Sequence, residues 1–159
     1  MTDFAEAMDA IAAHFKEGRL VESLACAREL KGELLAESKP DPQQLGWARF
    51  YELKSLHGLG QFRELCEVKN RPEPKIYALS TKNAAYLASL ATEAAAELGL
   101  AEEVVRFSRE CLEERAVIAA HADRASAANN AVIFLTRLGR ADLAEEFQAI
   151  LNAYAELRR

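Results

Sequence analysis

The sequence is poor in the residues that cross-link, kink or anchor a protein chain. Its 159 residues include three cysteines, four prolines and one tryptophan. The cysteines are odd in number and far apart, which argues against a disulfide framework. No two of them lie at metal-ligand spacing from each other or from any of the three histidines. We therefore expect small core cysteines, with neither a metal nor a cofactor.

Long apolar runs and an excess of positive charge are also missing. No stretch approaches the roughly 20 apolar residues that span a bilayer. The first residues carry acids where a signal peptide needs positive charge. The formal net charge is −5 at pH 7, and no run of Lys and Arg builds the basic face typical of nucleic-acid binders. The sequence predicts a cytoplasmic protein that binds neither membranes nor nucleic acid.

Motifs with a known catalytic mechanism are missing as well. The sequence contains no Gly-rich phosphate loop, no His-Glu-x-x-His and no Cys-x-x-Cys. A catalytic nucleophile needs a base within reach and a third group that orients the base. The three histidines fall on different predicted hairpins, without a partner motif. We therefore expect a protein that is not an enzyme.

Four of the seven glycines recur at a nearly constant spacing. They are Gly18, Gly60, Gly99 and Gly139, with separations of 42, 39 and 40 residues. Each follows one amphipathic stretch and precedes another. A helix commonly ends with a residue in the left-handed conformation, which glycine adopts without strain, and a new helix can begin shortly after it. The spacing predicts antiparallel helical hairpins with short loops.

Capping residues and breakers divide the chain into eight predicted helices. Asp3, Asp41 and Asp123 fit as caps of the first, third and seventh helices, and Ser80 or Thr81 fits as the cap of the fifth. The predicted helices cover residues 4–17, 20–37, 42–58, 61–70, 81–98, 101–119, 124–138 and 140–158. They pair into hairpins at about 4–37, 42–70, 81–119 and 124–158. Because no strand pattern occurs and one hairpin cannot bury its apolar face alone, we predict an all-α single domain over residues 1–159, built of four stacked hairpins.

The fourth predicted hairpin resembles a tetratricopeptide repeat, of the long variety found in kinesin light chains. Those repeats carry an Asn-Asn pair ten and nine residues before the turn glycine, as Asn129 and Asn130 do here. They also carry a small residue five places after it. The residues at that place are Ser23, Leu65, Val104 and Ala144. Leu65 and Val104, in the two middle hairpins, depart from this pattern. The resemblance covers about three of the four hairpins, and it implies a short right-handed superhelix.

In such repeats the first helix of each hairpin lines a concave face. Position relative to the turn glycine then assigns the predicted peptide-binding residues, which are Phe50, Lys54, Tyr86, Ser89, Asn129, Asn130 and Arg137. The same count also selects Met8, Ala12, Phe15, Lys16, Trp47, His57, Glu93, Ser126 and Ile133. Lys54 and Arg137 have the charge to bind a carboxylate or an acidic peptide, unless they are simply solvated. The aromatic residues serve either the groove or the core, and for Trp47 we expect the core.

The adjacent asparagines are the most informative of these residues, because asparagine is a poor helix former. Either one of them bonds the backbone of a bound peptide, or one is solvated while the other ties neighbouring helices together. The resulting hypothesis is a non-catalytic scaffold, monomer or weak dimer, that binds a segment of a partner protein in its groove. Two alternatives stay open: a dedicated chaperone or immunity-type partner of one bacterial protein, and a self-assembling structural repeat.

Overall fold

The structure is a computed structural model that describes residues 3–71, 77–118 and 121–159, and in these ranges it contains eight α-helices and no strand. The helices are α1 (Phe4–Lys16), α2 (Leu20–Leu35), α3 (Pro42–Gly58), α4 (Phe62–Lys69), α5 (Thr81–Glu97), α6 (Ala101–Ile118), α7 (His121–Arg137) and α8 (Ala141–Leu157). Their bounds lie within three residues of the predicted ones. The all-α prediction is therefore confirmed.

The one misplaced boundary is the start of α7. This helix begins at His121, so Asp123 lies in its first turn and the prediction of Asp123 as its cap is wrong. An acid in the first turn still interacts favourably with the positive end of the helix dipole. The residues just before α7, 119 and 120, lie outside the described residues. So do Pro72 and Pro74, the two prolines that follow α4 in the sequence.

The other predicted caps are confirmed by their hydrogen bonds. The Asp3 carboxylate accepts a hydrogen bond from the backbone N–H of Ala5 at 2.9 Å. Asp41 does the same for the two amides that follow Pro42, at 2.8 and 3.2 Å. The hydroxyl of Ser80 accepts a hydrogen bond from the third amide after it, at 3.3 Å. These bonds satisfy backbone donors that no carbonyl of the same helix can reach.

The four phased glycines adopt the backbone that their spacing predicts. The φ angles are +77° at Gly18, +70° at Gly60, +71° at Gly99 and +72° at Gly139. Each glycine joins two consecutive helices, so that α1–α2, α3–α4, α5–α6 and α7–α8 form packed hairpins. The residue five places after each glycine is buried, and its exposure is 5% or less in every hairpin. The repeat phase is therefore present in the packing as well as in the turns.

The helices form two compact units, Met1–Leu79 and Ser80–Arg159, each with two hairpins. In the first unit, α1, α2 and α3 enclose a core that includes Ile11, Leu30 and Leu45. In the second, α6 packs against both α5 and α7, and Phe107 on α6 and Phe147 on α8 are fully buried. The single domain over residues 1–159 stays a prediction.

Gly46, which does not share the phase of the other four, is required for a different reason. It lies on α3, where the segment 77–79 crosses the helix. The backbone N–H of Ala78 donates a hydrogen bond to the Pro42 carbonyl at 2.9 Å. A Cβ atom at position 46 would overlap the Ala78 carbonyl group. Glycine therefore permits a close approach of two backbones inside the first unit.

Candidate functional site

Two of the predicted site residues, Ser89 and Asn130, meet in a cavity of the second unit. The cavity has a volume of about 120 Å³ and lies between α5, α6 and α7. Its lining residues are Ser89, Thr92, Glu93, Ser108, Cys111, Ser126, Ala127, Asn130 and Phe134. We call this space the hydroxyl cavity, because four of its nine lining side chains are serine or threonine.

The hydroxyl groups in this cavity differ in how they are satisfied. Ser89 donates to the Tyr86 carbonyl at 2.6 Å, and Thr92 donates to the Ala88 carbonyl at 2.9 Å. Ser108 is 2% exposed, and its hydroxyl has no hydrogen-bond partner among the described residues. Buried polar groups are nearly always paired, because an unpaired one loses its bonds to water without replacement. Ser108 thus adds a buried hydroxyl, without a protein partner among the described residues, to the lining of the cavity.

The remaining predicted residues of the second unit lie on the helices that form the cavity walls. Asn129 precedes Asn130 on α7, and both side chains are exposed. Tyr86 lies one turn before Ser89 on α5 and is 41% exposed. Arg137 is exposed at the last residue of α7. The two amides are therefore presented to solvent rather than committed to the helix core.

The other two predicted residues, Phe50 and Lys54, lie on α3 in the first unit. Lys54 Nζ lies 4.3 Å from the ring centre of Phe15 and 5.2 Å from that of Phe50. Burial lowers the pKa of the Lys54 ammonium from its usual range. Phe50 is only 7% exposed and meets Trp47 edge to face, with ring centres 5.5 Å apart. Phe50 therefore contributes mainly to the core and offers little area to a ligand.

A second cavity, between α1 and α3, contains residues that the predicted site did not include. Its volume is about 280 Å³, and we call it the aromatic pocket. It is lined by Phe4, Met8, Asp9, Ala12, Trp47 and Tyr51. Trp47, which the sequence analysis assigned to the core, is 39% exposed. Position relative to the turn glycine selects three of these six residues, Met8, Ala12 and Trp47, but it does not select Phe4 or Asp9.

The first unit also buries a charged group, but it lies against other side chains of the protein and lines neither of these cavities. Glu52 is fully buried, and its Oε2 lies 2.5 Å from Lys31 Nζ. Neither carboxylate oxygen has a hydrogen bond of good geometry among the described residues, although the distance is that of a close ion pair. We interpret the contact as an ion pair, because charge attraction depends on distance more than on direction. Arg28 Nε adds a second cation, 3.8 Å from Oε1.

The described residues offer neither a metal-binding cluster nor a membrane-spanning helix. They contain no group of three or more His, Cys, Asp or Glu side chains that could hold a metal ion. None of the described helices is long and apolar enough to cross a membrane. The three cysteines are free thiols; Cys66 and Cys111 are buried, and Cys26 is partly buried.

The sequence matches no protein-family model and no curated protein. A function for the chain therefore has to be inferred from its own surface, of which the hydroxyl cavity and the aromatic pocket are two concave parts.

Proposed function

We propose that the chain is a non-catalytic interaction module, of the tetratricopeptide-repeat type, that binds a segment of a partner protein across α5 and α7. The observation that favours this function most is the hydroxyl cavity. It joins Ser89 and Asn130, from the face that the repeat phase selected, to the buried and unpaired hydroxyl of Ser108. The four left-handed glycines and the buried residue five places after each support the repeat assignment.

The chemistry of this surface suits a peptide backbone. A bound backbone must have its N–H and C=O groups paired, and an amide side chain can pair both kinds. Asn129 and Asn130 supply two such amides in exposed positions on α7. Tyr86 supplies exposed aromatic area, of the kind that often anchors interfaces. On this proposal Arg137 sets a preference for acidic residues in the partner.

The test is affinity capture from cells of the source organism, with the wild-type chain compared with the Asn130→Ala variant. We expect a partner that the wild type retains and the variant loses, because binding should weaken by about 1–3 kcal/mol when a hydrogen-bonding amide is removed. The melting temperature should not change, since Asn130 is exposed.

The matched control is Asn152→Ala, which removes an exposed asparagine from α8, outside the cavity. This variant should retain the same partner as the wild type. Equal capture by the Asn130 and Asn152 variants would contradict the proposed site. A fall of several degrees in the melting temperature of Asn130→Ala would assign that amide to the stability of the fold instead.

A further inference from the structure

The aromatic pocket has a lining that suits a positively charged group. Three of its six side chains are aromatic, namely Phe4, Trp47 and Tyr51, and one, Asp9, is a carboxylate. The face of an aromatic ring is electronegative and attracts a cation that lies over it. Asp9 adds a full negative charge, and within the described part of the chain it makes no ion pair. The pocket therefore combines aromatic surface with one carboxylate.

The first unit already holds one ammonium group against aromatic rings between the same two helices. Lys54 Nζ lies 4.3 Å from the ring centre of Phe15, on α1, and 5.4 Å from that of Tyr51, on α3. Tyr51 also lines the aromatic pocket. The spacing of α1 and α3 thus allows a lysine side chain to lie between rings at cation–π distance.

We propose that the aromatic pocket binds a lysine side chain, free or methylated, that a partner segment presents. This inference rests on the proposed function, because it assumes that the partner is a protein. An ammonium suits the lining better than a guanidinium does. Arginine carries five N–H donors in one plane, whereas the only carboxylate in the lining is Asp9. The four-carbon stem of lysine is apolar and would lie against Met8 and Ala12.

Trp47 makes the proposal directly measurable, because it is the only tryptophan of the chain and lines the pocket. The probes are N-acetyl-lysine methylamide, its trimethyl-lysine analogue and its norleucine analogue, which has an apolar chain and no charge. Titration of either cation into the full chain should give a saturable change in Trp47 fluorescence. Norleucine should bind about three- to thirty-fold more weakly, from the usual strength of a cation–π contact.

Two substitutions separate charge recognition from simple apolar binding. Asp9→Asn should weaken the binding of both cations and leave that of norleucine unchanged. The matched control, Glu67→Gln, removes the same charge from the exposed surface of α4 and should change neither. Raising the salt concentration should also weaken cation binding, because salt screens exposed charges. The free and the methylated lysine probes show which form binds more tightly.

The inference would be overturned by the lack of a saturable signal with either cation, by equal affinity for norleucine, or by unchanged cation binding in Asp9→Asn. Trp47→Leu, followed by calorimetry because this variant has no tryptophan, should abolish binding of the cations. If cation binding survives in that variant, the pocket is not the site. None of these measurements involves Asn130 or a captured partner, so the inference and the proposed function can fail separately.

Discussion

The buried carboxylate of Glu52 permits a demanding test of how the first unit is stabilised. Its nearest cation is Lys31 Nζ, 2.5 Å away, and Arg28 Nε lies at 3.8 Å. Taking charges out of water is expensive, and their mutual attraction only offsets that cost. Removal of one charged partner should therefore lower the free energy of unfolding more than removal of both.

The expected loss of stability in each variant depends on how exposed the remaining charged side chain is. Lys31→Met keeps the length of the side chain and leaves the fully buried Glu52 with Arg28 alone. We expect the free energy of unfolding to fall by about 3 kcal/mol, the low end for a broken buried pair, because Arg28 compensates in part. Glu52→Met should lower the free energy of unfolding by only about 1–2 kcal/mol, because Lys31, whose side chain is 14% exposed, can turn its ammonium towards water. The double variant, with Met at both positions, should be close to the wild type or more stable.

Urea unfolding measures all four proteins, with Trp47 fluorescence reporting on the first unit and circular dichroism on the whole chain. The control is Glu146→Gln, which removes the exposed partner of Arg109 on the second unit. Exposed ion pairs contribute little, so its unfolding midpoint should not move. If Lys31→Met unfolds like the wild type, or if the two single effects simply add in the double variant, the pair is not coupled and the reasoning fails.

Three further predictions concern the backbone. Gly139→Ala should lower the free energy of unfolding by about 1 kcal/mol or more, because φ at this position is +72°. Gly32→Ala should raise the free energy of unfolding, because Gly32 lies in an exposed helical position with open space around it. Thermal melts compare the two variants. Gly46→Ala should destabilise the first unit more than Gly139→Ala destabilises the second, since a Cβ there meets the Ala78 carbonyl, and urea unfolding followed by Trp47 fluorescence measures it. Brief proteolysis with mass analysis of the fragments should cut first within 70–79, and early cleavage elsewhere in the interior would contradict that prediction.

The turns and helix ends could be predicted from the sequence because their causes are local. A glycine after an amphipathic stretch adopts a left-handed φ regardless of what packs around it, and Asp3 or Asp41 caps a helix through its own following amides. The predicted start of α7 is wrong because the local sequence does not distinguish two positions. An acid in the first turn and an acid at the cap give the same sequence pattern, and Asp123 occupies the first turn.

The cavities could be predicted only in part, because they depend on the spacing between helices. Phase along one helix selected Ser89 and Asn130, which share a cavity. It could not select Ser108, which comes from the return helix α6, or Asp9, which reads as an ordinary solvated acid. Glu52 likewise reads as a surface residue, and only the position of α2 against α3 makes it a buried ion.

The two cavities share part of their construction. Each is lined by the first helices of two successive hairpins, α1 and α3 in one unit and α5 and α7 in the other, and the hydroxyl cavity is also lined by the return helix α6. A small residue, Ala12 or Ala127, stands in each lining and leaves the space open. The hairpin repeat therefore supplies the cleft twice, while the side chains around it determine the chemistry. Aromatic rings and a carboxylate line the cavity of one unit, and hydroxyl and amide groups line that of the other, so the proposed ligand chemistry differs between the units.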